Sequence, residues 1–241
     1  MTQQILLKSR PIGMPVPDNF EFREVEVPAT TNGMVRLMAH TFSVDPYIGK
    51  PKKGETVVVS GAAGAVGIVA GQIAKIQGCR VIGIAGDDLK VDYILNELKF
   101  DTAINYKTTS DLNSDIASAC PNGVDIYFDN VGGEISDDVI AQINVGARII
   151  VCGQISLYNS TKPPIGPRIQ PTILKRSALM QGFIVNNYAS RFGEGLKSLT
   201  QWVENGQIKY RNTTYEGFEK LPEAFIALFE GKNTGKLIVK I

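Results

Sequence analysis

Two kinds of apolar pattern alternate along the chain from Thr56 onward. Short, near-continuous apolar runs, TVVVS (56–60), RVIGIAG (80–86), DTAINY (101–106), VDIYFDNVGG (124–133), ARIIVCG (147–153) and LMQGFIV (179–185), read as buried strands. Between the first two lies AVGIVAGQIAKIQG (65–78), whose apolar residues recur at helical spacing and which ends at a glycine, the usual helix stop. Asp87 or Asp88 is placed to cap LKVDYILNELKF as a second helix, and SDLNSDIASAC (110–120) reads as a third. Strands apolar on both faces and joined by helical crossovers predict an α/β fold, a doubly wound parallel sheet, over residues 51–206. The flanks, 1–50 and 207–241, differ. FEFREVEV and MVRLMAHTF alternate as antiparallel strands do, and GKLIVKI (235–241) is a short strand after the helix KLPEAFIALFEG. The first and last segments are expected to pair into a small, truncated antiparallel β unit, because so short a front is thin for a core of its own.

Composition narrows the function. Twenty-five Lys and Arg balance 24 Asp and Glu, with no basic run, so nucleic acid is not an expected partner. No apolar stretch reaches the ~20 residues of a membrane span, and MTQQILLKSRP has no signal-peptide core, so a membrane partner is not expected either. Three cysteines (Cys79, Cys120, Cys152) without CxxC spacing, and a single histidine, His40, point to a reducing cytoplasm and to no metal site.

The candidate chemistry sits at Thr56–Gly67. A β-branched strand stops at Ser60, glycines follow at 61, 64 and 67, and a helix begins at once. This order suits a dinucleotide: the glycines allow a tight turn, close approach of a pyrophosphate, and close packing of helix on strand. The helix start adds N–H groups and the positive end of its dipole. Cofactor choice falls to the second strand, which in NAD-preferring domains ends at an acidic residue that binds the ribose hydroxyls. Here it ends Ile84–Ala85–Gly86, with no carboxylate before Asp87, while Lys90 follows and Tyr106 ends the third strand. A cation and a phenol suit a 2′-phosphate, so NADP(H) is the expected cofactor. Each residue alone also fits a plain reading, a solvated lysine and a sheet-edge tyrosine.

The segments GAAGAVG, AGDDLK, INYKT, YFDNVGGE, CGQISLYN, GFIV and NTGKLIVK, in this order, resemble the zinc-independent medium-chain dehydrogenase/reductases. The similarity is to their prostaglandin reductase / leukotriene B4 dehydrogenase branch, with the alkenal double-bond and curcumin-reductase-like enzymes. That resemblance implies a Rossmann domain and a GroES-like catalytic domain of which the two flanks are a remnant. It implies a homodimer, and NADPH-dependent reduction of the C=C bond of α,β-unsaturated aldehydes and ketones. It further implies that Gly64, Ala65, Val66 and Gly67 cradle the pyrophosphate, and that Lys90 and Tyr106 hold the 2′-phosphate. Asn130 and Asn233 would contact the cofactor. Cys152, Gly153, Ile155, Ser156 and Tyr158 would run along the nicotinamide half, and Phe183, Ile184 and Val185 would line its pocket. Tyr158 would sit over the substrate as hydrogen-bond donor, with Tyr47 as a second pocket wall.

One departure from the family stands out. In the family, VDPY is followed by roughly a hundred further residues of catalytic domain, whereas here Tyr47 runs directly into Ile48–Gly49–Lys50. An NADPH-binding member without turnover is therefore an alternative. A third reading, a short-chain dehydrogenase, rests on Tyr158–Asn159–Ser160–Thr161–Lys162, which spells YxxxK. That motif needs a helix, and Pro163–Pro164 follow it at once.

Overall fold

The structure, a computed structural model, describes residues 2–25 and 51–241. Its centre is a six-stranded, wholly parallel sheet built from β3 (Thr56–Ser60), β4 (Arg80–Ala85), β5 (Thr102–Asn105), β6 (Val124–Asp129), β7 (Ile143–Val151) and β8 (Leu179–Gly182). The spatial order is β5-β4-β3-β6-β7-β8, so the winding reverses between β3 and β6. That reversal opens a crevice at the carboxyl ends of the strands, the place where doubly wound sheets take ligands.

Alternate strand residues feed two cores. Val57, Val59, Val81, Ile126 and Phe128 pack on one face with Ile68 and Ala74 of α1 (Gly67–Ile76). Val58, Ile82, Ile84 and Tyr127 pack on the other. There they meet Ile116 of α3 (Leu112–Ala119) and Val139 and Ile140 of α4 (Gly133–Ala141). Burial on both faces is the physical reason these strands read as unbroken apolar runs.

The expected second helix is shorter and irregular. Asp87 caps α2 (Asp88–Asp92), accepting from Leu89 N–H at 2.8 Å, and the helix widens into a π-helical turn, Tyr93–Glu97, which sets Tyr93 and Ile94 in the core. The sixth strand stops at Gly182, short of Val185, and the segment 185–191 is 3₁₀-helical. Helices α5 (Gln170–Arg176) and α6 (Phe192–Glu204) flank it.

The terminal segments meet in a way that differs from the expected pairing. An antiparallel pair forms within the N-terminal segment, β1 (Thr2–Leu7) with β2 (Phe20–Val25). The C-terminal strand β10 (Lys236–Lys240) pairs instead with β9 (Asn212–Glu216), and in parallel. Contact between the ends is made by rings. Phe20 meets Phe225 of α7 (Leu221–Phe229) edge-on at 6.1 Å, and Phe22 meets Phe218 at 6.3 Å. MVRLMAHTF, His40 and Tyr47 lie outside the described residues.

Candidate functional site

The crevice is a cleft of about 660 Å³ whose floor is the turn after β3. Gly64, Ala65, Val66 and Gly67 line it, and the helical ladder already begins within this turn, with Ile68 N–H on Gly64 O at 3.0 Å and Ala70 N–H on Val66 O at 2.9 Å. The tight packing requires glycine at 67. A Cβ would lie 2.3 Å from the Gly61 carbonyl oxygen and 2.8 Å from Ala62 Cα, both backbone atoms. The far wall comes from the C-terminal unit. Gly235 N–H donates to Ala63 O at 2.7 Å and bridges Gly64, and Asn233, whose side chain donates to Gly235 O at 2.8 Å, lines the cleft beside it.

At one end of the cleft, Lys90 and Tyr106 face the same space, with Lys107 alongside. Lys90 Nζ reaches across to Gly231 O at 2.5 Å, tying α2 to the C-terminal segment. Burial lowers the Lys90 pKa, opposed by the Asp87 carboxylate and reinforced by Lys107. The Tyr106 side chain packs on Gly86, where a Cβ would come within 2.7–2.9 Å of it. The two acids past β4 are committed elsewhere. Asp87 caps α2, and Asp88 accepts from Asn105 Nδ2 at 2.6 Å.

Behind Asn130 and Val131, which line the other end, lies Asp129, fully buried at the tip of β6. Its Oδ1 accepts from Ser60 Oγ, Tyr127 OH, Val131 N–H and Gly132 N–H at 2.8–3.0 Å. Its Oδ2 accepts from Ser136 Oγ at 3.1 Å and Gln154 Nε2 at 2.7 Å. Six donors thus converge on one side chain. Beside it Asn130 donates from its backbone to Ser60 Oγ (2.9 Å) and from its side chain to Ser60 O (2.7 Å), and it lines the cleft. Cys152 and Gly153 both donate backbone N–H groups to Asp129 O, at 2.8 and 3.0 Å. Ile155 and Ser156 reach the cleft, with Ser156 Oγ on Val131 O at 2.6 Å.

Cys152, Gly153, Tyr158, Phe183, Ile184 and Val185 are not among the residues lining this cleft. Tyr158 is 61% exposed, and its hydroxyl accepts from Gln154 N–H at 3.1 Å. Phe183 packs edge-on against Tyr188 at 5.9 Å, and Ile184 points to solvent. Residues 158–162 form no helix, which removes the geometry that YxxxK needs. Sequence reading picked out Asn233 but missed its neighbours Gly231, Gly235, Lys236 and Leu237 as walls of the site, and it gave no role to Asp129 or Gln154.

Residues 65–201 match the zinc-binding dehydrogenase family, and residues 3–80 match the N-terminal domain of oxidoreductases. The chain belongs to the zinc-binding dehydrogenase family. Within that family it falls with the prostaglandin reductases. It is 34% identical to prostaglandin reductase 1 of Sus scrofa, over 97% of each chain. That alignment runs to 321 positions, more than the 241 residues present, so the pig protein carries residues without counterparts here. The chain is 56% identical to NADP-dependent oxidoreductase YfmJ of Bacillus subtilis over 87% of its own length, and it spans 62% of that protein. Among solved structures, CurA of Vibrio vulnificus in complex with NADPH superposes with a TM-score of 0.89 at 32% identity, covering 99% of each chain. The family name implies zinc, yet among the described residues no group of three or more His, Cys, Asp or Glu could hold a metal ion. The donor set for zinc is therefore not found among the described residues.

Proposed function

We propose that this chain is an NADPH-dependent oxidoreductase that reduces the C=C bond of α,β-unsaturated aldehydes and ketones. The observation that carries the reading is the Lys90–Tyr106 end of the cleft. Lys90 and Tyr106 face one space there, while Asp87 and Asp88 are engaged away from it. A 2′-phosphate gains a cation and a phenol donor, whereas a bare ribose finds Asp87 and Asp88 engaged elsewhere and Glu230, which lines the cleft, paired with Lys232 at 2.7 Å. The likeness to CurA with NADPH and to prostaglandin reductase 1 supports both cofactor and reaction class.

When bound, NADPH supplies a hydride to the β-carbon of the enone. Gly64, Ala65, Val66 and Gly67 would cradle the pyrophosphate at the positive end of the α1 dipole. Asn130 and Asn233 contact the cofactor's sugar–phosphate part. Cys152, Gly153, Ile155 and Ser156 flank the nicotinamide half, and Phe183, Ile184 and Val185 wall it. Negative charge builds on the substrate carbonyl oxygen during the reaction, and the Tyr158 hydroxyl donates to it. Segments 1–50 and 207–241 act as the reduced catalytic domain around the 51–206 cofactor domain. The exposed edge strand β8, with Leu179 half exposed, offers an edge for pairing two copies as a homodimer. Three unpaired cysteines fit a cytoplasmic site of action.

A second reading is favoured by the pig relative's extra residues: a chain that binds NADPH without turnover. Mixing the full chain with NADPH and a 2-alkenal separates the two. Enone-dependent NADPH consumption supports the reductase. NADPH binding without consumption supports the second reading, and absence of NADPH binding refutes both.

A further inference from the structure

We propose that Gln154 is a positioning residue: anchored on Asp129, it holds the Tyr158 hydroxyl with its proton directed toward the open side. The inference rests on the reading of Tyr158 as proton donor. Both hydrogens of the Gln154 amide are spent, one on Asp129 Oδ2 at 2.7 Å and one on Gly153 O at 2.8 Å. The side chain reaches Asp129 by passing over Gly132, where a Cβ would lie 2.2 Å from Gln154 Oε1. Glycine at 132, with φ of +74°, is thus the condition for this path.

At the other end of the same residue, the Gln154 backbone N–H donates to Tyr158 Oη at 3.1 Å. That bond occupies a lone pair of the phenol oxygen. The phenol proton must then lie away from the backbone, and the bond makes the O–H a stronger donor. Tyr158 is largely exposed, and among the described residues this is the hydrogen bond its hydroxyl makes. Backbone at 154 is irregular (φ −140°, ψ 50°), between the strand β7 and the 3₁₀ turn Ile155–Leu157. The neighbouring anchors, Ile155 N–H on Asn130 O and Ser156 N–H on Val131 O, fix the turn but not the orientation of residue 154. The side chain supplies that orientation, drawing on the most heavily bonded carboxylate described above.

The test is amide hydrogen exchange at position 154 in the full chain, read by ¹H–¹⁵N NMR, with Tyr158→Phe defining the released state. Gln154→Met keeps the shape and removes the donors. Gln154→Asn keeps polarity but is one methylene too short to reach Asp129. Both variants are expected to exchange at 154 about tenfold faster than the parent, as Tyr158→Phe does, which corresponds to the loss of one net hydrogen bond. Their kcat with a 2-alkenal is expected to fall about tenfold while NADPH affinity stays within about twofold, the signature of a lost transition-state contact. Parent-like exchange at 154 in either folded variant overturns the proposal, and so does unchanged kcat. A parent chain that binds NADPH without consuming it refutes the reaction assigned above. The exchange measurement needs no turnover and still decides whether Gln154 orients Tyr158.

Discussion

Lys90→Ala is the sharpest test of cofactor choice, because it removes one charge from a known place. Its ammonium group sits half-buried at the Lys90–Tyr106 end of the cleft, 2.5 Å from Gly231 O. A cation and a phosphate at ~4 Å in a medium of effective dielectric ~20 attract by about 4 kcal/mol. Solvent at the rim screens part of this, and the lysine gives up its Gly231 bond to make the new contact. A net loss of about 1.5–3 kcal/mol is the reasonable range for one charge-assisted hydrogen bond, or roughly ten- to hundredfold in NADPH affinity. NADH lacks the phosphate and loses only the tie between α2 and the C-terminal segment, so its affinity should move by less than about threefold. Because burial lowers the Lys90 pKa, the NADPH preference should also fade at less alkaline pH than an ordinary lysine dictates, as the charge is lost on raising pH. Titration of NADPH and NADH by cofactor fluorescence, on parent and variant, reads both effects. Equal losses for the two cofactors would refute the 2′-phosphate assignment.

Three further outcomes are expected. Tyr158→Phe should lower kcat with a 2-alkenal by about a hundredfold with NADPH affinity unchanged, the scale of one lost general-acid or oxyanion donor; unaltered kcat would remove Tyr158 from the mechanism. Gly67→Ala forces a methyl group into backbone 2.3 Å away, which should cost about 3 kcal/mol and lower Tm by roughly 6–12 °C; thermal unfolding within about 2 °C of the parent would show that the turn can relax. The thiols of Cys79, Cys120 and Cys152 are pushed up to about 11, in each case chiefly by burial. At about pH 8 all three stay protonated, so a disulfide reagent should modify them slowly in the folded chain and all at once in denaturant. Prompt reaction of Cys79 or Cys120 in the native state contradicts their placement.

The central sheet was legible because its signals are local. Strands β3, β4 and β6 are runs of mainly apolar residues facing a core on both sides, and the glycine spacing after Ser60 marks the turn directly. What stayed hidden depends on partners far away in sequence. NTTYE (212–216) has no apolar run, and it is a strand because β10 lies beside it. Tyr93–Glu97 looks like ordinary helix, yet Tyr93 and Ile94 must both be buried, and the wider turn places them there. Asp129 draws its donors from β3, β6, α4 and residue 154, so no single stretch of sequence announces it. Lys90 and Tyr106 were readable as a pair only because the strands that carry them, or precede them, are neighbours in the sheet.

The wall contributed by the C-terminal unit has a consequence for how the protein is made. Gly231, which takes the Lys90 hydrogen bond, lies 141 residues downstream of it, and Gly235 must reach back to Ala63. A chain growing from its N-terminus can assemble the parallel sheet and both cores long before those residues exist. The cleft is closed only when the last strand arrives, so a polypeptide stopped a dozen residues early would carry a folded sheet and an unroofed crevice. Ligand capture then reports that residues 231–237 have been made and have docked, and a dinucleotide that spans floor and wall would hold the two segments together.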